Sequence, residues 1–351
     1  MSSATRIGVL VAQLGTPDAP TARALRPYLR QFLSDRRVID YPPALWQPLL
    51  RGVILNTRPK RSARLYNRIW LHDGSPLRVY SVAQVEGLQA RLGDHYRVML
   101  GMRYGTPSIA TAIQTLETEG IDRIIVLPMY PQYSSTTTAS IYDAVYAAAG
   151  GTVSDRKRFV PSLRFIAPYY DHPAYIGALK THLERVFDGM TMPPDHMLIT
   201  FHGIPHRYTR TGDPYRAHCE RSAMLLADAM GWRDDQWSLS FQSQFGPEKW
   251  LEPYTDQVLE GLAHRGVHRP LVFAPGFVTD CLETLDELGN EGRDQFAEGG
   301  GDPAHFTLAP CLNDSAAWLN AMTALVLENA GGWDGDIARV SPSHPAEFTE
   351  V

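Results

Sequence analysis

Eight short apolar runs punctuate the chain: IGVLVAQ (7–13), YRVMLGMRY (96–104), RIIVLPMY (123–130), LRFIAP (163–168), MLITFHG (197–203), WSLSFQS (237–243), PLVFAPGFV (270–278) and FTLAP (306–310). Most are continuous rather than alternating, as in parallel strands covered on both faces. Stretches of helical period lie between them, such as SIATAIQTLETEG (108–120) and TDQVLEGLAHRG (255–266), and each of these two stops at a glycine able to end a helix. That alternation predicts an α/β fold built on parallel sheets. The stretch 102–131 runs strand, aromatic–Gly, Pro, helix, Gly, strand, Pro, and 241–277 repeats the order, which suggests a duplicated doubly wound unit. No Gly/Ser linker divides the halves; APYYDHP (167–173) is the softest boundary.

In sheets of this kind, ligands bind beyond the carboxyl ends of the strands. The strand LITF (198–201) stops on His202, with Gly203 and Pro205 directly behind it. Arg103, Tyr104, Tyr130 and Asp280 fall at other strand ends, so these polar and aromatic side chains are candidates to line one cleft. His202 and His206 are four apart, but the glycine and proline between them oppose a zinc-binding helix, and no HExxH is present. QLGTPDAP (13–20) matches neither dinucleotide nor P-loop spacing. In FVTDCLETLDELGNEG (277–292), Asp280, Glu283, Glu287 and Glu291 are spaced i, i+3, i+7 and i+11, one acidic stripe if the segment is α-helical. The stripe reads either as a solvated face or as oxygen ligands for a divalent ion. YPQYSSTTTAS (130–140) reads as a hydroxyl-rich loop entering a helix, and Trp250 follows a turn in GPEKWLEPY. Aromatic walls of this sort suit a flat apolar ligand, although ordinary packing accounts for a single Trp equally well.

Composition narrows the class. The chain has 351 residues, 44% hydrophobic and 20% charged, which fits a globular protein of two domains. A net charge of -5 opposes nucleic-acid binding, and RPKRSAR (58–64) reads as a short solvated face. No apolar stretch approaches the roughly 20 residues that cross a bilayer, so a cytoplasmic location is expected. The segment YPPALWQPLLRGVIL (41–55) offers apolar side chains either for peripheral contact with the inner face of a membrane or for a lid over a cleft. Three scattered cysteines, Cys219, Cys281 and Cys311, form no disulfide framework.

The blocks QLGTPDAP with LRPYLRQFLSD, GSPLRVYSVAQ, MRYGTPSI, LPMYPQYSSTTTAS, FHGIPHRYTRTGDPY, FQSQFGPEKWLEP, FVTDCLETLDELGNEG and APCLND resemble the ferrochelatase family in order and spacing, over about residues 7–325. The resemblance implies insertion of ferrous iron into protoporphyrin IX. It also implies two similar Rossmann-like, chelatase-type domains, each a parallel four-stranded sheet flanked by helices, with a porphyrin cleft between them. Expected boundaries are 1–168 (with a porphyrin-binding lid), 169–313 (with the histidine and the acidic helix) and 314–351 (a helix packing back on the first domain, and a tail). By position His202 and Glu283 match the family's catalytic pair, and Asp280 and Glu287 its acidic metal row, so all four are candidate iron contacts. Tyr66, Ser75, Arg103, Tyr104, Tyr130 and Trp250 fall on blocks that line the macrocycle or hold its propionates. Where relatives often place a second histidine, this chain has Cys281. With no cysteine after Cys311, and with Ser134 and Ser135 where a ligand of some relatives sits, no iron–sulfur cluster and no other bound cofactor is expected, and Fe(II) is a substrate. The chain lacks a C-terminal extension that helps some relatives dimerise, so a monomer is expected. Readings within reach of the same motifs are a coproporphyrin enzyme, a cobalt or nickel chelatase, and a porphyrin carrier.

Overall fold

From Ile7 to Gln13 every residue of the first apolar run is buried, so both faces of its strand are covered, as a continuous apolar run demands. The computed structural model describes residues 6–151 and 154–333. Expectations that fall on residues 334–351 lie outside the described residues. Strands β1 (Ile7–Gly15), β2 (Tyr96–Tyr104), β3 (Arg123–Pro128) and β4 (Ser162–Phe165) form one parallel sheet in the order β2-β1-β3-β4. Strands β5 (His196–His202), β6 (Trp237–Gln242), β7 (Pro270–Phe273) and β8 (Thr307–Leu308) form a second, in the order β6-β5-β7-β8. Each predicted apolar run thus contains a strand, and the two sheets share one topology. The repeat extends to detail. Met102 N donates to Pro107 O at 2.7 Å after β2, and Phe241 N to Pro253 O at 2.8 Å beside β6, each starting the return into a helix.

Between β1 and β2 the chain builds a helical lid: helix Ala22–Ser34, helix Pro43–Leu49, a π-helical turn Leu50–Ile54 and helix Leu55–Ile69. Thr21 caps the first of these by accepting from Ala24 N, and Leu25, Leu29 and Leu33 form its buried stripe. Those leucines pack with Trp46, Leu50, Leu55, Tyr66 and Ile69, and Leu282 and Leu285 of the acidic segment join them. The 41–55 segment is split between packing and exposure. Trp46, Leu50 and Leu55 are buried, while Leu45, Leu49 and Val53 are 74%, 46% and 52% exposed.

One apolar cluster reaches through both halves, taking Val9, Leu127, Ile199, Phe201 and Phe273 from the sheets and Trp318 from helix Ala316–Ala330. That helix lies against helix Pro76–Leu92 of the first half, where Arg91 Nε donates to Asn320 Oδ1 at 3.1 Å. The two backbones come so close that a Cβ on Gly87 would stand 2.6 Å from Leu319 Cδ1.

Candidate active site

His202 is the last residue of β5, placed beside Gln242, the last residue of β6. Gly203 then lets the chain turn in a space without room for a side chain. A Cβ there would stand 2.9 Å from the Gln242 carbonyl oxygen and 3.2 Å from the Trp250 ring. Gly203 N donates to Gln242 O (2.7 Å), and His206 N to Lys249 O (2.9 Å), so the turn is tied to the strand loop carrying Trp250. The His202 ring lies 6.2 Å from the Trp250 ring and 6.4 Å from that of Phe277. Its Nδ1 is 2.6 Å from the Gly203 carbonyl oxygen. A carbonyl can only accept, so Nδ1 carries the hydrogen and Nε2 keeps its lone pair. Burial pushes the imidazole pKa down, and the Glu283 charge and the Gly203 carbonyl oppose that in part. The result is a neutral, accepting imidazole with a carboxylate in its field.

Glu283 opens a segment, Glu283–Glu291, that is π-helical rather than the expected α-helix. Its carbonyl accepts from Gln242 Nε2 at 3.1 Å, which binds the start of this segment to the strand beside His202. Burial is the main cause of the raised phenol pKa values of Tyr28, Tyr66 and Tyr130, and Glu283 adds to each. Three tyrosines of the first half, two on lid helices and one just past β3, therefore share one electrostatic environment with the His202–Glu283 pair of the second. Tyr130 Oη accepts from Leu14 N (3.2 Å) and donates to Gln13 Oε1 (3.3 Å), and Gln13 Nε2 donates to Thr279 Oγ1 across the halves at 3.1 Å.

Glu287 lies further along the acidic segment, and Ser243 Oγ stands 2.8 and 2.7 Å from its two oxygens. Burial pushes its pKa up to about 7, with Ser243 pulling the other way and Glu283 and Glu291 adding to the rise. Ser243 has φ 68°, the left-handed region that a non-glycine residue enters at a cost. Glu291 at the far end is exposed, so the row leads outward.

Four of the expected site residues have other partners. Asp280 is buried, its carboxylate taking Asn313 Nδ2 (2.7 Å), Thr284 Oγ1 (3.0 Å) and Cys311 N (3.3 Å). These contacts make it a tie between the acidic segment and the strand-end loop. Ser75 is the buried N-cap of helix Pro76–Leu92, accepting from Arg78 N. Arg103 and Tyr104 close on Asp35: Tyr104 Oη donates to Asp35 Oδ2 (2.7 Å), and Arg103 pairs with the same oxygen while its Nε donates to Ser140 Oγ (2.7 Å). That network fastens the end of the first lid helix to β2, and Tyr104, 1% exposed, offers no surface to a ligand. Among the described residues no three His, Cys, Asp or Glu side chains converge closely enough to hold a metal ion, so the expected quartet is not one preformed coordination sphere. Reading from sequence overlooked Tyr28, Gln242 and Ser243. The available signal was that WSLSFQS, like its neighbour LITFH, ends its apolar run on polar residues.

The ferrochelatase family profile matches residues 6–330. The chain is 45% identical over 332 residues to a ferrochelatase of Brucella anthropi, covering 93% of each chain, and 45% identical to that of Brucella canis, covering 93% of this chain and 92% of the other. It belongs to the ferrochelatase family. Insertion of iron into a porphyrin, in haem synthesis, is the reaction, and the enzyme class is a lyase. In shape the chain is similar to SirB from Bacillus subtilis, solved with Fe3+, at TM-score 0.54 and 14% identity over 94% of this chain and 98% of that one. SirB in complex with cobalt, a sirohydrochlorin chelatase from a Bacillus subtilis subspecies, gives TM-score 0.53 at 12% identity, over 93% and 95%. At such identities the likeness concerns the fold: two Rossmann-like chelatase domains. Among the described residues no helix is long and apolar enough to cross a membrane.

Proposed function

We propose that the porphyrin is protoporphyrin IX, that it lies between the tyrosines of the first half and His202 with Glu283 of the second, and that His202 Nε2 takes the pyrrole protons. A planar macrocycle holds its N–H groups in the ring plane, out of reach of an entering ion. Gripping the ring between Tyr66, Tyr130 and Trp250 tilts a pyrrole outward, a distortion of about 1–5 kcal/mol. The fixed Nδ1–H bond to Gly203 supports this reading more than any other observation, because it aims the lone pair of a neutral base away from its own backbone. Glu283 stabilises the imidazolium once formed. Glu287, with a pKa near 7, can gain and lose a proton at neutral pH and passes the released protons toward Glu291 and solvent. His202 and Glu283 are also the first protein ligands for the iron, which accepts imidazole and carboxylate. Arg103, Tyr104, Ser75 and Asp280 act by holding the lid, helix and loop that frame the cleft.

The preference for protoporphyrin over coproporphyrin rests on the likeness of LRPYLRQFLSD to the protoporphyrin-using branch; parallel assays with the two porphyrins decide it. The enzyme is proposed to act as a monomer in the cytoplasm, without a resident cofactor. Leu45, Leu49 and Val53 on the lid would touch the inner membrane face, where an insoluble product can leave. The decisive experiment is anaerobic incubation of His202→Ala and Glu283→Gln with Fe(II) and protoporphyrin. Turnover is expected to fall at least roughly 100-fold in each, while porphyrin fluorescence titration shows binding retained. Near-normal turnover of His202→Ala removes the imidazole from the chemistry.

A further inference from the structure

The lid is strongly cationic in a chain of net charge -5. Residues 22–69 hold eleven Lys or Arg against two Asp, a surplus of nine positive charges scattered over two helices, the stretch after Ser34 and the turn Leu50–Ile54. Both acids are already paired, Asp35 with Arg103 and Asp40 with Arg207. Folding brings part of the surplus to one place. A cavity of about 520 Å³ opens between helix Ala22–Ser34 and the turn Leu50–Ile54, lined by Arg26, Arg30, Gln31, Ser34, Arg51 and Leu55. None of its three guanidiniums has a carboxylate partner among the described residues. No acidic side chain lines it, and three guanidinium forks and a hydroxyl offer donors with no competing anion.

This cavity is distinct from the porphyrin cleft. Arg26 and Arg30 are one helical turn apart, on one face, and Tyr28 stands two positions from each, on the opposite face. Tyr28 is the residue that reaches the cleft, donating to Gly15 O at 3.2 Å and lying in the field of Glu283.

We propose that the Arg26–Arg30–Arg51 cavity is a binding site for a phosphate-class anion, supplied either by an anionic lipid headgroup or by a free oligophosphate. Phosphate oxygens match guanidinium forks two at a time, and bringing three unpaired cations together is favourable when such an anion joins them. The chain segment that supplies Arg51 also presents Leu45, Leu49 and Val53 to solvent, an apolar neighbour that suits the lipid source. In its lipid form the inference deepens the membrane contact proposed above; in its oligophosphate form it stands without that contact.

Two assays on the full chain separate the sources. One is thermal unfolding with inorganic pyrophosphate against chloride at equal ionic strength. The other is co-sedimentation with phosphatidylglycerol vesicles against phosphatidylcholine vesicles. The variant is Arg26→Gln/Arg30→Gln; the control is Arg61→Gln/Arg64→Gln, which removes the same charge from lid positions outside the cavity. Stabilisation by pyrophosphate alone assigns the free anion, and sedimentation with phosphatidylglycerol alone assigns the headgroup. Both together support the site for the whole class. In whichever assay responds, the Arg26→Gln/Arg30→Gln protein should bind roughly 30-fold more weakly, and the control much less so. Insertion activity with detergent-solubilised porphyrin, unchanged in both variants, verifies folding. Equal losses in variant and control, or no response in either assay, overturn the proposal.

Discussion

Replacing Glu287 by glutamine should stabilise the protein at pH 8 and leave it unchanged at pH 5. The wild-type carboxyl has a pKa raised from 4.5 to about 7, chiefly by burial, so the fold favours its neutral form. The stability contributed by that preference is fully present below 4.5 and is lost as pH rises through about 7. At 1.36 kcal/mol for each tenfold change in proton affinity, the loss amounts to at most roughly 3 kcal/mol. Glutamine has nearly the shape of the protonated acid and keeps an oxygen to accept from Ser243, but it does not ionise. The variant should therefore match wild type in acid and exceed it in base, by at most about 6–12 °C in Tm if a kcal/mol moves Tm by about 2–4 °C. Thermal unfolding followed by circular dichroism at pH 5, 6, 7 and 8 checks this. A difference that stays constant with pH, or a glutamine variant less stable at pH 8, refutes the assignment of a raised pKa to this group. The same variant should insert iron more slowly, because a side chain that cannot ionise cannot pass protons outward.

Other expectations follow from single contacts. Gly203→Ala places a Cβ 2.9 Å from a backbone oxygen of the neighbouring strand, so the turn must open. We expect a loss of about 1–3 kcal/mol in chemical denaturation and a lower kcat with porphyrin affinity retained. Because burial lowers the His202 pKa, the acid limb of kcat/KM should lie below the ordinary histidine value near 6.5; a pH profile with its limb at or above that value contradicts a buried imidazole base. Asp280→Asn turns one acceptor of the Asn313, Thr284 and Cys311 donors into a donor. It should lose roughly 2–4 kcal/mol of stability while the folded variant keeps its KM for iron; unchanged stability with a raised KM restores the metal role.

Much of the scaffold was legible because parallel strands buried on both faces have to be continuous apolar runs, and no solvated segment imitates eight of them in alternation with helices. His202 was legible for a related reason: an imidazole and a glycine directly after Leu-Ile-Thr-Phe break the apolar logic of the strand. The π-helical winding of Glu283–Glu291 was not. Leu282, Leu285 and Leu288 satisfy an α-helical period as well, and the segment's partners are distant in sequence: Gln242 on the Glu283 carbonyl, Ser243 on Glu287 and Arg68 on Asp286. The partners of Arg103, Tyr104 and Asp280 were not legible, because a strand end marks where a site can lie but not which polar side chains the scaffold itself engages. The cationic lid escaped notice because its charges are dispersed in sequence and diluted in a net negative chain.

The shared topology of the halves bears on how one cleft came to hold two kinds of chemistry. Strands β1 and β5 occupy the same inner position in their sheets, each between the strand that follows it and the one after. Near the end of β1, Gln13 is engaged by Tyr130 and Thr279 and lies opposite Met102 as Phe201 lies opposite Phe241; His202, one residue further along β5 and with Nε2 uncommitted, therefore corresponds to the apolar Leu14. The first end can build and brace a wall but has nothing to give or take at neutral pH. The second carries a neutral imidazole whose pKa burial holds below the ordinary value, and the acidic segment that follows β7 in its own half supplies Glu283 and Glu287. In the proposed reading, two units of one topology set opposed strand ends around the cleft, and an imidazole where the first half carries Leu14 makes the second half the reacting side. Iron and protons are then expected to travel on the second side only, which is why Glu287 is the residue whose ionisation should matter most among those that do not touch the ring.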